Sequence, residues 1–243
     1  MSLIPKIFKK LTRSKPRPVK VSPEDAERIE KVRNARYTYL SVARLGSIVA
    51  TIRRIEKEQV PGDLLEAGCA LGGSAILIAG AKADERVLRV YDVFGMIPEP
   101  TDQDGEDVHA RYEVIKSGQS QGIGDDLYYG YEDDLYKKVS NSFAEMGIDR
   151  EKQNVNLIKG LVQDTLVVDG PVAMAHIDVD WYDPVMTCLD RIVPHLSVGG
   201  VIILDDYSDW SGCREATDAY FADKRSGFEF ETVSGALRIT RKN

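Results

Sequence analysis

The sequence predicts an α/β fold in which a mostly parallel, seven-stranded sheet ends in a C-terminal antiparallel hairpin and carries helices on both faces. Short apolar runs that indicate buried strands alternate along the chain with segments of helical spacing, as is typical of parallel sheets. The last two runs, residues 228–233 and 236–240, instead alternate apolar and polar residues around Ser234-Gly235, which predicts a hairpin. With 243 residues, the chain is long enough for one large domain of this class.

Five strands are predicted for the parallel part of the sheet. They cover residues 63–67, 86–91, 155–160, 172–177 and 199–204. Helical spacing is present with interruptions over residues 22–57, and again over 74–83, 136–147, 184–196 and 212–224. The first helix has a clear start, because Ser22 suits the N-cap, Pro23 suits the first turn and Asp25 lies three residues after the cap.

Residues 95–135 differ from the rest of the chain. They are acidic, contain Gly, Gln and Tyr, and lack aliphatic periodicity. An insertion of this length within a compact domain is usually a functional lid or a disordered loop. We predict a lid at about residues 99–135, with a disordered loop as the alternative.

Charge divides the chain into two parts. Residues 1–20 carry seven of the 32 Lys and Arg residues and no Asp or Glu, although the whole chain has a net charge of −7. We therefore predict a basic N-terminal leader and linker over residues 1–21, followed by one acidic domain over 22–243. The acidic domain argues against nucleic acid as a partner. The leader is either disordered or makes a weak contact with an anionic membrane surface.

Several classes of protein are disfavoured by composition. No apolar run approaches the roughly 20 residues that a membrane span needs, and no signal-peptide pattern opens the chain. The three cysteines are too few and too scattered for a disulfide framework, and the three histidines lack the spacing of a zinc site. A reducing cytoplasm is therefore the expected location.

Carboxylates follow two successive strands of the predicted sheet. Asp178 and Asp180 follow the strand at 172–177, and Asp205 and Asp206 follow the strand at 199–204. The carboxyl ends of neighbouring parallel strands line the crevice where α/β sheets bind ligands. Because carboxylates brought together there repel one another, a hard divalent cation among them is the simplest solution. Magnesium prefers oxygen ligands, which predicts a site formed by Asp178, Asp205 and Asp206.

A glycine-bearing turn follows the first strand and reads Glu66-Ala67-Gly68-Cys69-Ala70-Leu71-Gly72-Gly73-Ser74. Its glycines allow a ligand to approach the backbone, and the helix behind it favours polar or anionic groups. The dinucleotide fingerprint fails because Ala occupies position 70, whereas the pattern E-x-G-x-x-x-G-G resembles the nucleoside-binding turn of S-adenosylmethionine-dependent methyltransferases. Candidate cofactor residues here are Glu66, Gly68, Gly72 and Ser74.

Two further positions suit a nucleoside. Asp92 ends the second strand, where an acidic side chain accepts hydrogen bonds from ribose hydroxyls. Gln163 and Asp164 follow the third strand, near where an adenine edge would lie. Each has a simpler interpretation as well: a solvated helix cap for Asp92 and a polar loop for the other pair.

Ordered blocks over roughly residues 60–240 carry a resemblance to a known family. Besides Glu66-Ala67-Gly68 and Gly72-Gly73, the blocks are Tyr91-Asp92-Val93-Phe94-Gly95-Met96-Ile97-Pro98, Gln163-Asp164-Thr165-Leu166, His176-Ile177-Asp178-Val179-Asp180-Trp181-Tyr182, Leu196-Ser197-Val198-Gly199-Gly200, Asp205-Asp206-Tyr207 and Gly212-Cys213-Arg214-Glu215-Ala216. The sequence resembles the macrocin O-methyltransferase family, the metal-dependent sugar O-methyltransferases of antibiotic tailoring.

The resemblance implies a class I methyltransferase (Rossmann-like) fold, S-adenosylmethionine as methyl donor, Mg²⁺ at Asp178, Asp205 and Asp206, a deoxysugar hydroxyl as acceptor and a homo-oligomer. The sequence departs from the family at Trp181, where Leu is common, and at Asp183-Pro184, where Glu-Ser is common. It also has Val93 where Ser is usual. An aromatic side chain at Trp181 would either stack on a sugar or aromatic acceptor or pack in the core.

The residues and the resemblance together predict a Mg²⁺-dependent O-methyltransferase whose base is Asp178 or Asp180, with His176 as a weaker candidate. The acceptor is a sugar diol, although a catechol would chelate the metal through two adjacent oxygens equally well. Two other functions were weighed. A nicotinamide-dependent reductase lacks its phosphate-binding turn, and a non-catalytic cofactor-binding module leaves the intact acidic clusters without a role.

Overall fold

Seven strands form one sheet in a computed structural model that describes residues 19–243. They are β1 (Asp63–Ala67), β2 (Leu88–Asp92), β3 (Val155–Lys159), β4 (Val172–Ile177), β5 (Leu196–Leu204), β6 (Phe228–Val233) and β7 (Ala236–Arg241). Their order across the sheet is β3-β2-β1-β4-β5-β7-β6. Strands β1 to β5 are parallel, whereas β7 is antiparallel to both β5 and β6. The predicted fold class is confirmed, including the C-terminal hairpin.

Helices cover both faces of this sheet. They are α1 (Pro23–Asn34), α2 (Val42–Lys57), α3 (Gly73–Ala81), α4 (Glu106–Lys116), α5 (Leu135–Glu145), α6 (Val162–Thr165), α7 (Tyr182–Ile192) and α8 (Ser211–Tyr220). Helices α1, α2, α3 and α5 enclose one apolar core, and α7 and α8 enclose another on the opposite face. The predicted start of α1 is confirmed, since the hydroxyl of Ser22 accepts a hydrogen bond of 3.1 Å from the Asp25 amide.

Element ends shift by a few residues from their predicted positions. Helix α7 ends at Ile192, and residues 193–195 form a 3₁₀ turn instead of continuing it to 196. Pro194 explains this end, because its nitrogen has no hydrogen to continue the helical ladder. Strand β5 begins at Leu196, three residues before its predicted start, and pairs there with Val172.

Residues 95–135 contain a helix that the sequence pattern did not predict. Helix α4 buries Val108, Tyr112 and Ile115, which are spaced at i, i+4 and i+7 but lie between charged residues. With Tyr128 and Trp181 they form a third apolar cluster beside the carboxyl ends of the strands. Residues 95–135 therefore contain folded structure, and they do not form the disordered loop that was the alternative prediction. Their action as a lid stays a prediction.

The basic leader and its membrane contact fall mostly on residues 1–18, outside the described part of the chain. Within residues 19–243, no helix combines the length and the apolar character needed to cross a membrane.

Candidate active site

Three carboxylates meet at the carboxyl ends of β4 and β5. Asp178 follows β4, and Asp205 and Asp206 follow β5, with Ile177 and Leu204 paired at the last position of the two strands. One carboxylate oxygen from each of the three residues lies within 4.8 Å of the others. The expectation that these acidic side chains converge is therefore correct, because the two strands are parallel neighbours.

Asp178 and Asp206 are poorly compensated by the protein. Burial and the nearby charge of Asp205 raise the pKa of Asp178 to about 8. Burial, reinforced by Asp180, Asp178 and Asp205, raises the pKa of Asp206 well above its ordinary value. Among the described residues, Asp205 Oδ1 and Asp206 Oδ2 are buried without a hydrogen-bond partner. A donor set made only of oxygens, with free lone pairs, fits a hard divalent cation.

Asp180 lies beside this cluster in a strained turn. Its φ of 58° is in the left-handed region, which Asp tolerates better than most residues. The turn is tight, since the Trp181 amide donates to the Val179 carbonyl at 2.6 Å. Asp180 lines the same cleft as the three carboxylates but is not one of the mutually close set. Burial raises the pKa of Asp180 to about 6.

Asp205 is flanked by two groups that the sequence did not connect to it. Arg44 of α2 donates from Nη1 to Asp205 Oδ2 at 2.6 Å and from Nη2 to Asp209 Oδ2 at 2.6 Å. On the other side, His176 Nε2 lies 3.9 Å from Asp205 Oδ1. Burial alone would lower the pKa of His176, but the carboxylates of Asp205 and Glu66 raise it to about 10.

The glycine-bearing turn after β1 packs directly against the acidic turn after β4. Gly68 has a φ of +81°, and a Cβ there would overlap the carbonyl oxygen of Asp178. Asp92 anchors the same turn from β2, because its Oδ2 accepts hydrogen bonds from the amides of Cys69 at 2.7 Å and Ala70 at 3.2 Å. Its Oδ1 accepts one from the Phe94 amide at 2.6 Å. Burial nevertheless raises the pKa of Asp92.

The residues predicted for the site divide into two groups. Those that line one cleft of about 440 Å³ are Gly68, Asp92, Gln163, Asp178, Asp180, Asp205 and Asp206. Those outside its lining are Glu66, Gly72, Ser74 and Asp164.

Each residue of the second group has a local reason for its position. Glu66 is fully buried against His176, so it faces the interior of the sheet. Gly72 is the N-cap of α3 with a φ of +86°, and Ser74 is buried within that helix. Asp164 is exposed on α6.

Aromatic side chains form the walls of the cleft on the side of residues 95–135. They are Tyr39, Tyr128, Tyr129, Trp181 and Trp210. Trp181 is 2% exposed and donates from Nε1 to the Pro98 carbonyl at 2.9 Å, so its indole is packed in the third apolar cluster while also bordering the cleft. Arg111 of α4 also lines the cleft and lies 5.7 Å from the Tyr128 ring centre. No sequence signal distinguished Arg111 from an ordinary surface cation.

Comparison with known proteins identifies the family of this chain. The sequence profile of one family, described as Macrocin-O-methyltransferase (TylF), matches residues 4–233. The chain belongs to this family. Like the other macrocin O-methyltransferases, it is an O-methyltransferase, and the resemblance noted from its motifs is confirmed.

Two relatives of this chain come from Streptomyces. Demethyldecarbamoylnovobiocin O-methyltransferase of Streptomyces niveus is 27% identical over 223 residues, which cover 83% of this chain and 76% of the relative. An 8-demethyl-8-(2,3-dimethoxy-alpha-L-rhamnosyl)-tetracenomycin-C 4'-O-methyltransferase of Streptomyces olivaceus is 30% identical over 190 residues, covering 76% and 67%. Among solved structures, the O-methyltransferase NovP superposes with a TM-score of 0.71 at 25% identity, covering 85% of this chain and 83% of NovP.

Proposed function

We propose that this enzyme transfers the methyl group of S-adenosylmethionine to a sugar hydroxyl of a glycoside, and that the transfer depends on Mg²⁺. The observation that carries the proposal is the juxtaposition within one cleft of the glycine-bearing turn after β1 and three mutually close carboxylates, of which Asp205 and Asp206 are buried with one oxygen each lacking a hydrogen bond. A hydroxyl acceptor and a donor bound in the same cleft gain mainly from positioning, which requires little covalent chemistry from the protein.

The cofactor fits the side of the cleft formed by the turns after β1 and β2. Gly68 lines the cleft, and Asp92 is positioned at the end of β2, where a ribose would lie. Gln163 Oε1 is a buried acceptor without a hydrogen-bond partner in the described residues, and it suits the amino group of an adenine. S-adenosylmethionine would supply a methyl group already activated on a sulfonium.

The metal fits the side formed by the turns after β4 and β5. Asp178, Asp205 and Asp206 would hold Mg²⁺, and carboxylate oxygens, two of which (Asp205 Oδ1 and Asp206 Oδ2) have no hydrogen-bond partner among the described residues, are the donors that this ion prefers. Bound there, the ion would supply a Lewis acid that makes a neighbouring acceptor hydroxyl more acidic. Arg44 would hold Asp205 Oδ2, and this leaves Oδ1 without a hydrogen bond.

Asp180 is the residue we assign as general base. It borders the cleft next to the three carboxylates without belonging to their close set, so it could accept the proton of the acceptor hydroxyl while they hold the metal. Asp178, the alternative base, would be engaged by the metal. After methyl transfer, the carboxyl group of Asp180 would release this proton to solvent.

A sugar acceptor is favoured by the named substrates of the relatives. The relative from Streptomyces olivaceus is named for the 4'-hydroxyl of a rhamnosyl group, and a mycinamicin III 3''-O-methyltransferase of Micromonospora griseorubida is 27% identical over 191 residues. The aromatic walls of the cleft also suit a catechol, which is the second candidate. Cytoplasmic location, homo-oligomerisation and absence of nucleic-acid binding stay predictions.

Titration calorimetry with S-adenosylhomocysteine, with and without Mg²⁺, tests the proposal. We expect binding in both conditions, followed by methylation of glycosides but not of simple catechols when acceptors are screened. Replacing Asp205 and Asp206 together by Asn should leave S-adenosylhomocysteine binding nearly intact and abolish methyl transfer. Failure of the wild-type protein to bind S-adenosylhomocysteine would overturn the assigned donor, and loss of that binding in the double variant would make the carboxylates structural.

A further inference from the structure

A row of buried polar side chains crosses three neighbouring strands behind the acidic cluster. Glu66 on β1 is paired directly with His176 on β4, and His176 is paired with Ile203 on β5. Asp205 lies two residues after Ile203, so it continues on the same face of the sheet. Glu66, His176 and Asp205 therefore form a line that runs from the centre of the sheet to the cleft.

The contacts along this row are specific. His176 Nδ1 lies 2.8 Å from Glu66 Oε1, a hydrogen-bond distance, and this fixes the plane of the imidazole ring. His176 Nε2 then faces Asp205 Oδ1 at 3.9 Å, and neither atom has a hydrogen-bond partner among the described residues. The side chains of Glu66 and His176 are 0% exposed and that of Asp205 is 2% exposed.

Packing does not require polar residues at these positions. Leu64 and Met174 precede Glu66 and His176 by two residues on the same face, are paired with each other, and are apolar and fully buried. An apolar pair of similar volume would continue that core without the cost of burying a carboxylate. The polar pair is therefore better explained by what it faces, which is the carboxylate of Asp205.

We infer that His176, oriented by Glu66, is a positioning residue that sets the direction of the Asp205 carboxylate for a divalent cation. The inference rests on the metal site assigned under the proposed function. Arg44 holds Asp205 Oδ2 by a hydrogen bond from the opposite side, and His176 Nε2 faces Asp205 Oδ1 at 3.9 Å without one. Residues that orient metal ligands in this way typically account for about 10–100-fold in metal affinity.

A pair of substitutions tests the two nitrogens of the imidazole separately. His176→Asn keeps a donor near the Nδ1 position, toward Glu66, but removes the group that faces Asp205. His176→Gln reaches the Nε2 position and keeps a donor toward Asp205. Met174→Leu, in the same strand and on the same face, is the matched control for a conservative change in the core.

The measurements are Mn²⁺ affinity by electron paramagnetic resonance and S-adenosylhomocysteine affinity by calorimetry without metal. We expect His176→Asn to weaken Mn²⁺ binding about 10–100-fold and His176→Gln to recover most of that loss. Met174→Leu should match the wild type, and S-adenosylhomocysteine affinity should stay unchanged in all three variants.

Glu66 supplies a second test in case His176→Asn does not fold. Glu66→Gln keeps an acceptor for Nδ1 and should retain Mn²⁺ affinity, whereas Glu66→Leu releases the ring and should weaken it. Equal weakening of Mn²⁺ binding by His176→Asn and His176→Gln would overturn the inference. Wild-type Mn²⁺ affinity in His176→Asn or Glu66→Leu would also overturn it. Neither result would contradict the proposed metal site itself. A wild-type protein that binds S-adenosylhomocysteine but no Mn²⁺ would overturn both.

Discussion

Buried carboxylates on the two sides of the cleft differ in how fully they are hydrogen-bonded. On the side of β1 and β2, Asp92 accepts three backbone amide hydrogen bonds, from Cys69, Ala70 and Phe94. On the side of β4 and β5, Asp205 Oδ1 and Asp206 Oδ2 have no hydrogen-bond partner in the described part of the chain. Both sides lie at the carboxyl end of the same parallel sheet, so the difference comes from the turns that follow each strand.

This difference fits the ligand proposed for each side. A carboxylate whose charge is spread over backbone amides helps to hold the turn in shape, and a neutral nucleoside then binds a preformed surface. Carboxylate oxygens that lack a hydrogen bond and lie close to other carboxylates are stabilised by an added positive charge. Under the proposed function, the side of β1 and β2 would therefore be complete without a metal, and the side of β4 and β5 would be completed by a cation.

The largest expected effect separates the base from the metal ligands. Asp180→Asn should lower kcat about 10²–10⁴-fold, the usual contribution of a general base, while Mn²⁺ affinity stays near the wild-type value. Asp178→Asn should lower both, because its oxygen belongs to the close set of three. Steady-state kinetics and Mn²⁺ titration of both variants check this, with Asp190→Asn, exposed on α7, as control. Full activity of Asp180→Asn would return the role of base to Asp178.

The second prediction concerns the contact between the turn after β1 and the turn after β4. Gly68→Ala should destabilise the protein by more than the roughly 1–2 kcal/mol of a left-handed alanine, because the new Cβ would overlap the Asp178 carbonyl. Affinities for S-adenosylhomocysteine and for Mn²⁺ should fall together, since both turns must move.

Gly118→Ala is the matched control for this change, with a φ of +77° and nothing within 4 Å of the added carbon. Urea unfolding compares the free energies of unfolding of the two variants. Equal losses of stability would show that the contact between the turns carries no strain and that only the backbone conformation matters.

The third prediction concerns the side of β1 and β2 alone. Asp92→Asn replaces one acceptor oxygen by an amide donor that faces backbone donors, so it should cost about 1–3 kcal/mol of stability and weaken S-adenosylhomocysteine binding. Mn²⁺ affinity should not change. Calorimetry with each ligand checks this, and a parallel loss of Mn²⁺ binding would mean that the two sides are not independent.

The fourth prediction concerns pH. The folded-state pKa values of Asp178, about 8, and Asp180, about 6, lie above those of an unfolded chain, so the folded state holds extra protons between about pH 4 and 8. Without divalent metal, stability should therefore fall as pH rises through this window, by roughly 2–4 °C in Tm for each kcal/mol lost. Excess Mg²⁺ should reduce the fall, because the metal binds the deprotonated form. Thermal unfolding from pH 5 to 8 tests the sign, and a Tm that rises with pH in metal-free buffer would contradict it.

Local sequence was sufficient to predict the strands and the acidic residues that follow them. Five apolar runs and two alternating C-terminal runs predicted all seven strands, and acidic residues placed directly after two successive strands predicted the cluster of Asp178, Asp205 and Asp206. Parallel neighbours end at the same edge of a sheet, so this inference needed only strand order and direction. The family was also accessible from the order of the motifs.

Tertiary structure decided what depends on the register between strands, on contacts between residues far apart in sequence and on which way a side chain turns. Glu66 looked like a cofactor residue because it opens the glycine-bearing turn, yet the register of β1 and β4 places it against His176, away from the cleft. Arg44 meets Asp205 across 161 residues of sequence, a separation at which no local pattern carries information. Helix α4 has an apolar face too sparse to predict alone, and it is stabilised by Trp181 and Tyr128. Period and composition determine the elements, but long-range packing determines which polar groups are left unpaired and therefore where the chemistry lies.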